Sequence, residues 1–193
     1  MVDRINKISN NEIDKIVLDS KNSHNSLNIK ITVERAVELT DLNWNDIIFG
    51  MQYDYFDIKS AVDFALLLIK NGAKDKYVYE ISFLNPSSVR KEEFIEQYQR
   101  LFSKINHNYT TQESKDKILF LLLAFLFEQR NSFENPFHVI EIIYDDFGFP
   151  QSISCLIPYM QPDGESDSMD RLYDNWKGFI YNSPFLKTRD GSS

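Results

Sequence analysis

The chain has 193 residues, with 15 Phe and 10 Tyr against only 6 Gly and 6 Pro, which is enough bulk to fill a core without disulfides or metal. A net charge of −8 excludes the usual basis of nucleic-acid binding, which depends on Lys and Arg meeting phosphates. The longest apolar run, Ile118 to Phe127, falls short of the roughly 18 residues that a membrane span needs.

In chain order, residues 1–20 mix charged and apolar groups, so no secretory leader is expected and a cytoplasmic location follows. Ser9-Asn10-Asn11-Glu12 fits a capping box, with Ile8 and Ile13 at staple positions, and opens a helix over about 10–19. Lys21 to Asn28 then reads as a polar linker. Residues 1–31 are therefore expected to form an appendage to a single helical domain over 32–183, with a frayed tail at 184–193. Thr32 to Thr40 reads as a short helix. Leu42-Asn43-Trp44-Asn45-Asp46-Ile47 is a second capping box with a staple, in which Asn43 caps and Asp46 answers from the third helical position.

Asp57 is placed to cap a central helix ending at Gly72, because Ile58, Ala61, Val62, Ala65, Leu68 and Ile69 share one face. Tyr77 to Leu84 is too short to assign by period alone. Phe94, Ile95, Tyr98, Leu101, Phe102 and Ile105 keep helical spacing. Thr110 and Glu113 form another capping box ahead of the apolar run, whose flanks Lys115-Asp116-Lys117 and Glu128-Gln129-Arg130 are expected to face solvent. Pro136 suits a first helical turn, with Phe137, Ile140, Ile143, Tyr144 and Phe147 following. The β-branched residues there leave a hairpin over 139–159 as the alternative. Gln161 to Ser168 is an acidic loop, and Leu172, Tyr173, Trp176 and Ile180 define a last helix over about 169–182. The fold class is all-α, with mostly short helices in a compact bundle or an irregular helix-pair array; the alternative is α+β with that small hairpin.

No catalytic motif stands out. The six glycines are scattered singly, so no phosphate loop exists, and His24, His107 and His138 form no metal-binding pair. Cys155, the lone cysteine, reads as a small buried hydrophobe. No cofactor and no metal are expected, and the calcium-like run Asp163-Gly164-Glu165 lacks the terminal bidentate Glu.

The charge is unevenly placed. Nine acids lie between Glu134 and Lys177, and only Arg171 and Lys177 oppose them. Asp145, Asp146, Tyr159, Asp163, Glu165 and Asp167 are accordingly the candidate residues for a basic protein partner, which such a face attracts by electrostatic steering.

The runs Leu42-x-Trp44-x-Asp46-Ile47-x-x-Gly50, Tyr144-x-Asp146-Phe147, Tyr159-Met160 and Arg171-Leu172-x-x-x-Trp176 resemble an uncharacterised bacterial family, the domain of unknown function 2247 family. The resemblance covers about residues 29–182. It implies a small all-helical bacterial protein and favours a helix over a hairpin at 136–147. It assigns no catalytic residue, and Trp44, Asp46 and Trp176 are expected to serve structure. The leading expectation is a non-enzymatic protein-binding domain, with an immunity-type protein that neutralises a basic toxin as one form. An enzyme with an unrecognised carboxylate site and a self-assembling subunit are the alternatives.

Overall fold

Side-chain caps fix where most of these helices begin. The protein is described by a computed structural model over residues 7–88, 90–105, 111–160 and 169–187. Its α-helices are α1 (Asn10–Asp19), α2 (Val33–Leu39), α3 (Trp44–Gln52), α4 (Ser60–Lys70), α5 (Lys76–Ser82), α6 (Lys91–Phe102), α7 (Thr111–Gln129), α8 (Pro136–Asp146) and α9 (Met169–Tyr181). Short 3-10 turns lie between several of them, and the fold is all-α. Among the described residues the only β feature is an isolated bridge between Ile8 and Phe133.

The hairpin alternative is excluded, because α8 occupies 136–146 and 3-10 turns occupy Gln151–Leu156 and Pro158–Met160. Asn135 accepts the Phe137 amide at 3.1 Å and Pro136 pre-sets the first turn, so the helix is nucleated at its start. Its apolar residues then bury at helical spacing, which outweighs their β-branched character.

The chain divides into a continuous unit, Ile29–Ile118, and a discontinuous unit made of Met1–Asn28 with Leu119–Ser193. In the continuous unit α4 packs on α5, α3 and α2, while α6 packs on α3 and α5. Trp44 centres the core, edge-on to Phe64 at 4.7 Å and tilted against Tyr98 at 5.7 Å. Gly50 is needed in α3 because the buried Phe56 ring lies against it; a Cβ there would come within 2.1 Å of that ring. α4 starts later than expected, at Ser60, and Asp57 is not its side-chain cap. The Asp57 carboxylate instead lies 3.6 Å from Lys30, and its carbonyl accepts the Ser60 amide. Gly72, at φ +92, ends α4: its amide reaches Ile69 and the Ala73 amide reaches Leu68, a Schellman closure. Tyr77 to Leu84 resolves as α5, because Asp75 accepts the Tyr77 amide at 2.7 Å.

In the discontinuous unit, α1 keeps its Ser9–Glu12 capping box and buries Ile13. Ile8 does not bury as a staple; its backbone pairs with Ser132 and Glu134, at 2.8 Å each. The 21–28 segment is tied down rather than loose, with Asn25 buried and Ser26 bonded to Asp146. α8 and α9 both pack on the Gln151–Leu156 turn. That turn buries Ile153 and Leu156 and leaves Cys155 exposed, so the expected buried thiol is on the outer side. The capping residue Thr110 lies outside the described residues.

Candidate functional site

Among the described residues, two places gather the candidate residues of the sequence. The first is closed. In the continuous unit Asp46 has its capping box with Asn43 in place: Asn43 accepts the Asp46 amide at 3.2 Å and Asp46 accepts the Asn43 amide at 2.8 Å. Its two oxygens also take the Ser114 hydroxyl and the Lys117 ammonium, each at 2.8 Å. Lys117 further donates to the Asp41 carbonyl at 3.0 Å. Asp46, Ser114 and Lys117 are all buried, so Lys117 is not the solvent-facing helix flank that the sequence suggested. Burial, reinforced by the Asp46 charge, holds the Tyr98 phenol well above its ordinary pKa. The contacts of this carboxylate go to protein donors and all three groups are buried, so the arrangement braces α3 against α7. Trp176 is likewise internal: its indole N–H donates to the Leu123 carbonyl at 3.1 Å, and its ring stands edge-on to Phe127 and Phe137.

The second place is open, and it belongs to the discontinuous unit. α8 ends in a Schellman closure, where the Gly148 amide reaches Asp145 and the Phe149 amide reaches Tyr144 at 2.8 and 2.9 Å. Gly148 takes φ +70, as the motif favours, but Phe149 follows at φ +59, a left-handed conformation that is costly for a bulky residue. Its ring rests edge-on to Tyr144 at 5.3 Å and remains 60% exposed. The Tyr144 hydroxyl donates to the Met160 sulfur at 3.2 Å, which brings Met160 and its neighbour Tyr159 to the same place. Met160 is 45% exposed and Tyr159 71%. Asp145, which follows Tyr144 in α8, is also exposed.

Phe149 and Met160, which charge reasoning missed, both contact Tyr144, while the predicted Asp145 and Tyr159 are exposed and adjoin them in the chain. Asp146 has a different neighbourhood. It is half-buried and accepts both the Ser26 amide, at 2.9 Å, and the Ser26 hydroxyl. Burial raises its pKa against those hydrogen bonds, and the charge of Asp145 adds to the rise. Asp163, Glu165 and Asp167 lie outside the described residues. Cys155 is exposed, but partial desolvation of its thiol raises the pKa, which disfavours a nucleophilic thiolate.

Among the described residues no group of three His, Cys, Asp or Glu could hold a metal ion, and no helix is long and apolar enough to cross a membrane. What the fold and the two places define is an all-α protein with one internal charge network and one open acidic–aromatic face. Residues 34–183 match the family described as an uncharacterized protein conserved in bacteria (DUF2247), and the chain belongs to that family; α1 lies before the matched span. No curated protein and no solved structure gives a significant match.

Proposed function

We propose that the chain is a non-enzymatic, cytoplasmic protein-binding domain whose acidic–aromatic face engages a basic protein partner. Neutralisation of a basic toxin, as immunity proteins do, is one form this would take. The observation that carries the reading is at the end of α8: Phe149 and Met160 contact Tyr144 and stay exposed, as do Asp145 and Tyr159 beside them in the chain. Aromatic and Met side chains are enriched where proteins bind one another, and they supply most of the contact energy when buried by a partner. Acids at the rim of such a cluster speed encounter with a basic surface. The Asp46 network, by contrast, is closed to any substrate.

The test is capture from the source cell with wild type and with a Tyr159→Ala variant, followed by binding kinetics of the recovered partner. Tyr159→Ala should raise the dissociation rate, and Asp145→Asn should slow association and flatten its salt dependence. A partner that binds both variants as it binds wild type would remove this face from the interface. Turnover of a small molecule, lost on substituting a buried carboxylate without loss of fold, would replace the reading with an enzyme.

A further inference from the structure

The cations of the continuous unit differ in their pairing, and Arg35 and Arg90 have carboxylate partners in Glu38 and Glu93. Lys30, Lys59, Lys91, Arg100 and Lys117 are each paired with a carboxylate. Lys70, Lys74, Lys76 and Lys104 form no ion pair among the described residues. These four belong to neighbouring segments: the last turn of α4, the turn into α5, the first residue of α5, and the end of α6, which packs on α5. The ammonium groups of Lys76 and Lys104 lie 4.7 and 5.4 Å from the centre of one ring, that of Tyr77. Two like charges lie at one ring, and the four lysines outnumber the two acids of the same turns, Asp75 and Glu80. α5 adds exposed aromatic surface, with Tyr79 at 41% and Phe83 at 82%. This end of the unit is basic and aromatic.

The discontinuous unit is the more acidic, with 15 acids against 9 Lys and Arg compared with 14 against 12 in the continuous unit, and it carries the exposed Phe149, Tyr159 and Met160. We infer that the Lys76–Tyr77–Lys104 surface is an interaction site whose occupant is the acidic–aromatic face of a second copy of this chain. The inference rests on the reading of that face as a docking surface and names a further occupant for it. Lysine ammoniums would meet Asp145 and the faces of Phe149 and Tyr159, combining ion pairing with cation–π attraction. The contact is heterologous, so each copy offers both halves, one on each unit, and a foreign basic partner would compete with it for the acidic half.

Sedimentation velocity of the full chain over a range of concentrations, at low and at high salt, tests it. Wild type should self-associate at low salt and dissociate as salt screens the charges. Lys76→Glu with Lys104→Glu, and separately Asp145→Lys with Tyr159→Ala, should each weaken association by about tenfold or more. An equimolar mixture of these two variants should form a 1:1 pair and nothing larger, because each keeps the half that the other has lost. Far-UV circular dichroism checks the fold of each variant, and Lys70→Glu with Lys74→Glu serves if the substitutions at Tyr77 disturb it. A wild type that stays monomeric at low salt overturns the inference, as does a mixture no better than its components. Binding of a short DNA duplex that the lysine variant loses, without self-association, also overturns it. Retention of a foreign partner that depends on Tyr159, without self-association, would sink this inference alone.

Discussion

Asp46 and Asp54 in the continuous unit and Asp145 and Asp146 in the discontinuous unit are the same chemical group, supplied very differently with cations. Burial raises the pKa of Asp54, but Lys91 at 2.6 Å and Lys30 at 3.4 Å overcome it and leave the carboxyl below its ordinary value. Asp146 has the Ser26 hydrogen bonds and the attraction of His24, but no lysine, and burial with the charge of Asp145 prevails, so its pKa rises. One unit uses its lysines to settle its own carboxylates. The other leaves negative charge half-buried or exposed, where it can act on something outside the chain.

The largest expected effect concerns the settled side of this contrast. Asp46→Ala should lose about 3–5 kcal/mol in denaturant unfolding, because Lys117 would be left buried and unpaired. A helix cap alone would account for only about 0.5–2 kcal/mol. Lys117→Met should couple to it, the double variant losing less than the two single losses added. A loss near that of a cap, with additive singles, would mean that the pair contributes nothing.

The pH dependence sharpens the contrast, because the two units should respond with opposite signs. Asp54, with its folded pKa lowered, contributes stability that is present above the ordinary carboxylate pKa and is lost as pH falls through the lowered value. Asp146, with its folded pKa raised, contributes stability that is present below the ordinary value and is lost as pH rises through the raised one. Thermal melts across the acid range should therefore show wild type gaining on Asp54→Asn with rising pH and losing ground to Asp146→Asn. Two curves of the same slope would erase the distinction.

The smallest effect tests the exposed face. Phe149→Gly should be more stable than Phe149→Ala by about 1 kcal/mol, since both lose the Tyr144 contact but only glycine takes φ +59 without cost. Equal stabilities would show that the backbone there carries no strain.

Helix positions were legible because their signals are local. The boxes at Ser9–Glu12 and Asn43–Asp46, the Pro136 start and the apolar run of α7 each lie within a few residues of what they specify. What stayed hidden depends on distant chain. Asp46 could be read as a cap, but its bond to Lys117 crosses 71 residues, and that of Ser26 to Asp146 crosses 120. A weak signal did exist for the first: Ser114, Lys117, Ile118 and Leu121 follow one helical face, which makes Lys117 the odd member of a buried stripe. Cys155 was misplaced because a 3-10 turn has period three, so its position in an apolar run gave no indication of its face. Gly50 was visible in the family pattern, but its reason, the ring of Phe56 six residues on, is a matter of packing.

The bond between Ser26 and Asp146 also sets an order of events during synthesis. The opening 28 residues belong with chain that the ribosome has yet to make, while Ile29–Ile118 is a contiguous stretch that can collapse as soon as it emerges. At roughly 5–20 residues per second, Ser26 leaves the ribosome about 6–24 s before Asp146. For that interval residues 7–28 lack their final partners, and Ile13, buried in the finished fold, is available to chaperones or to neighbouring nascent chains.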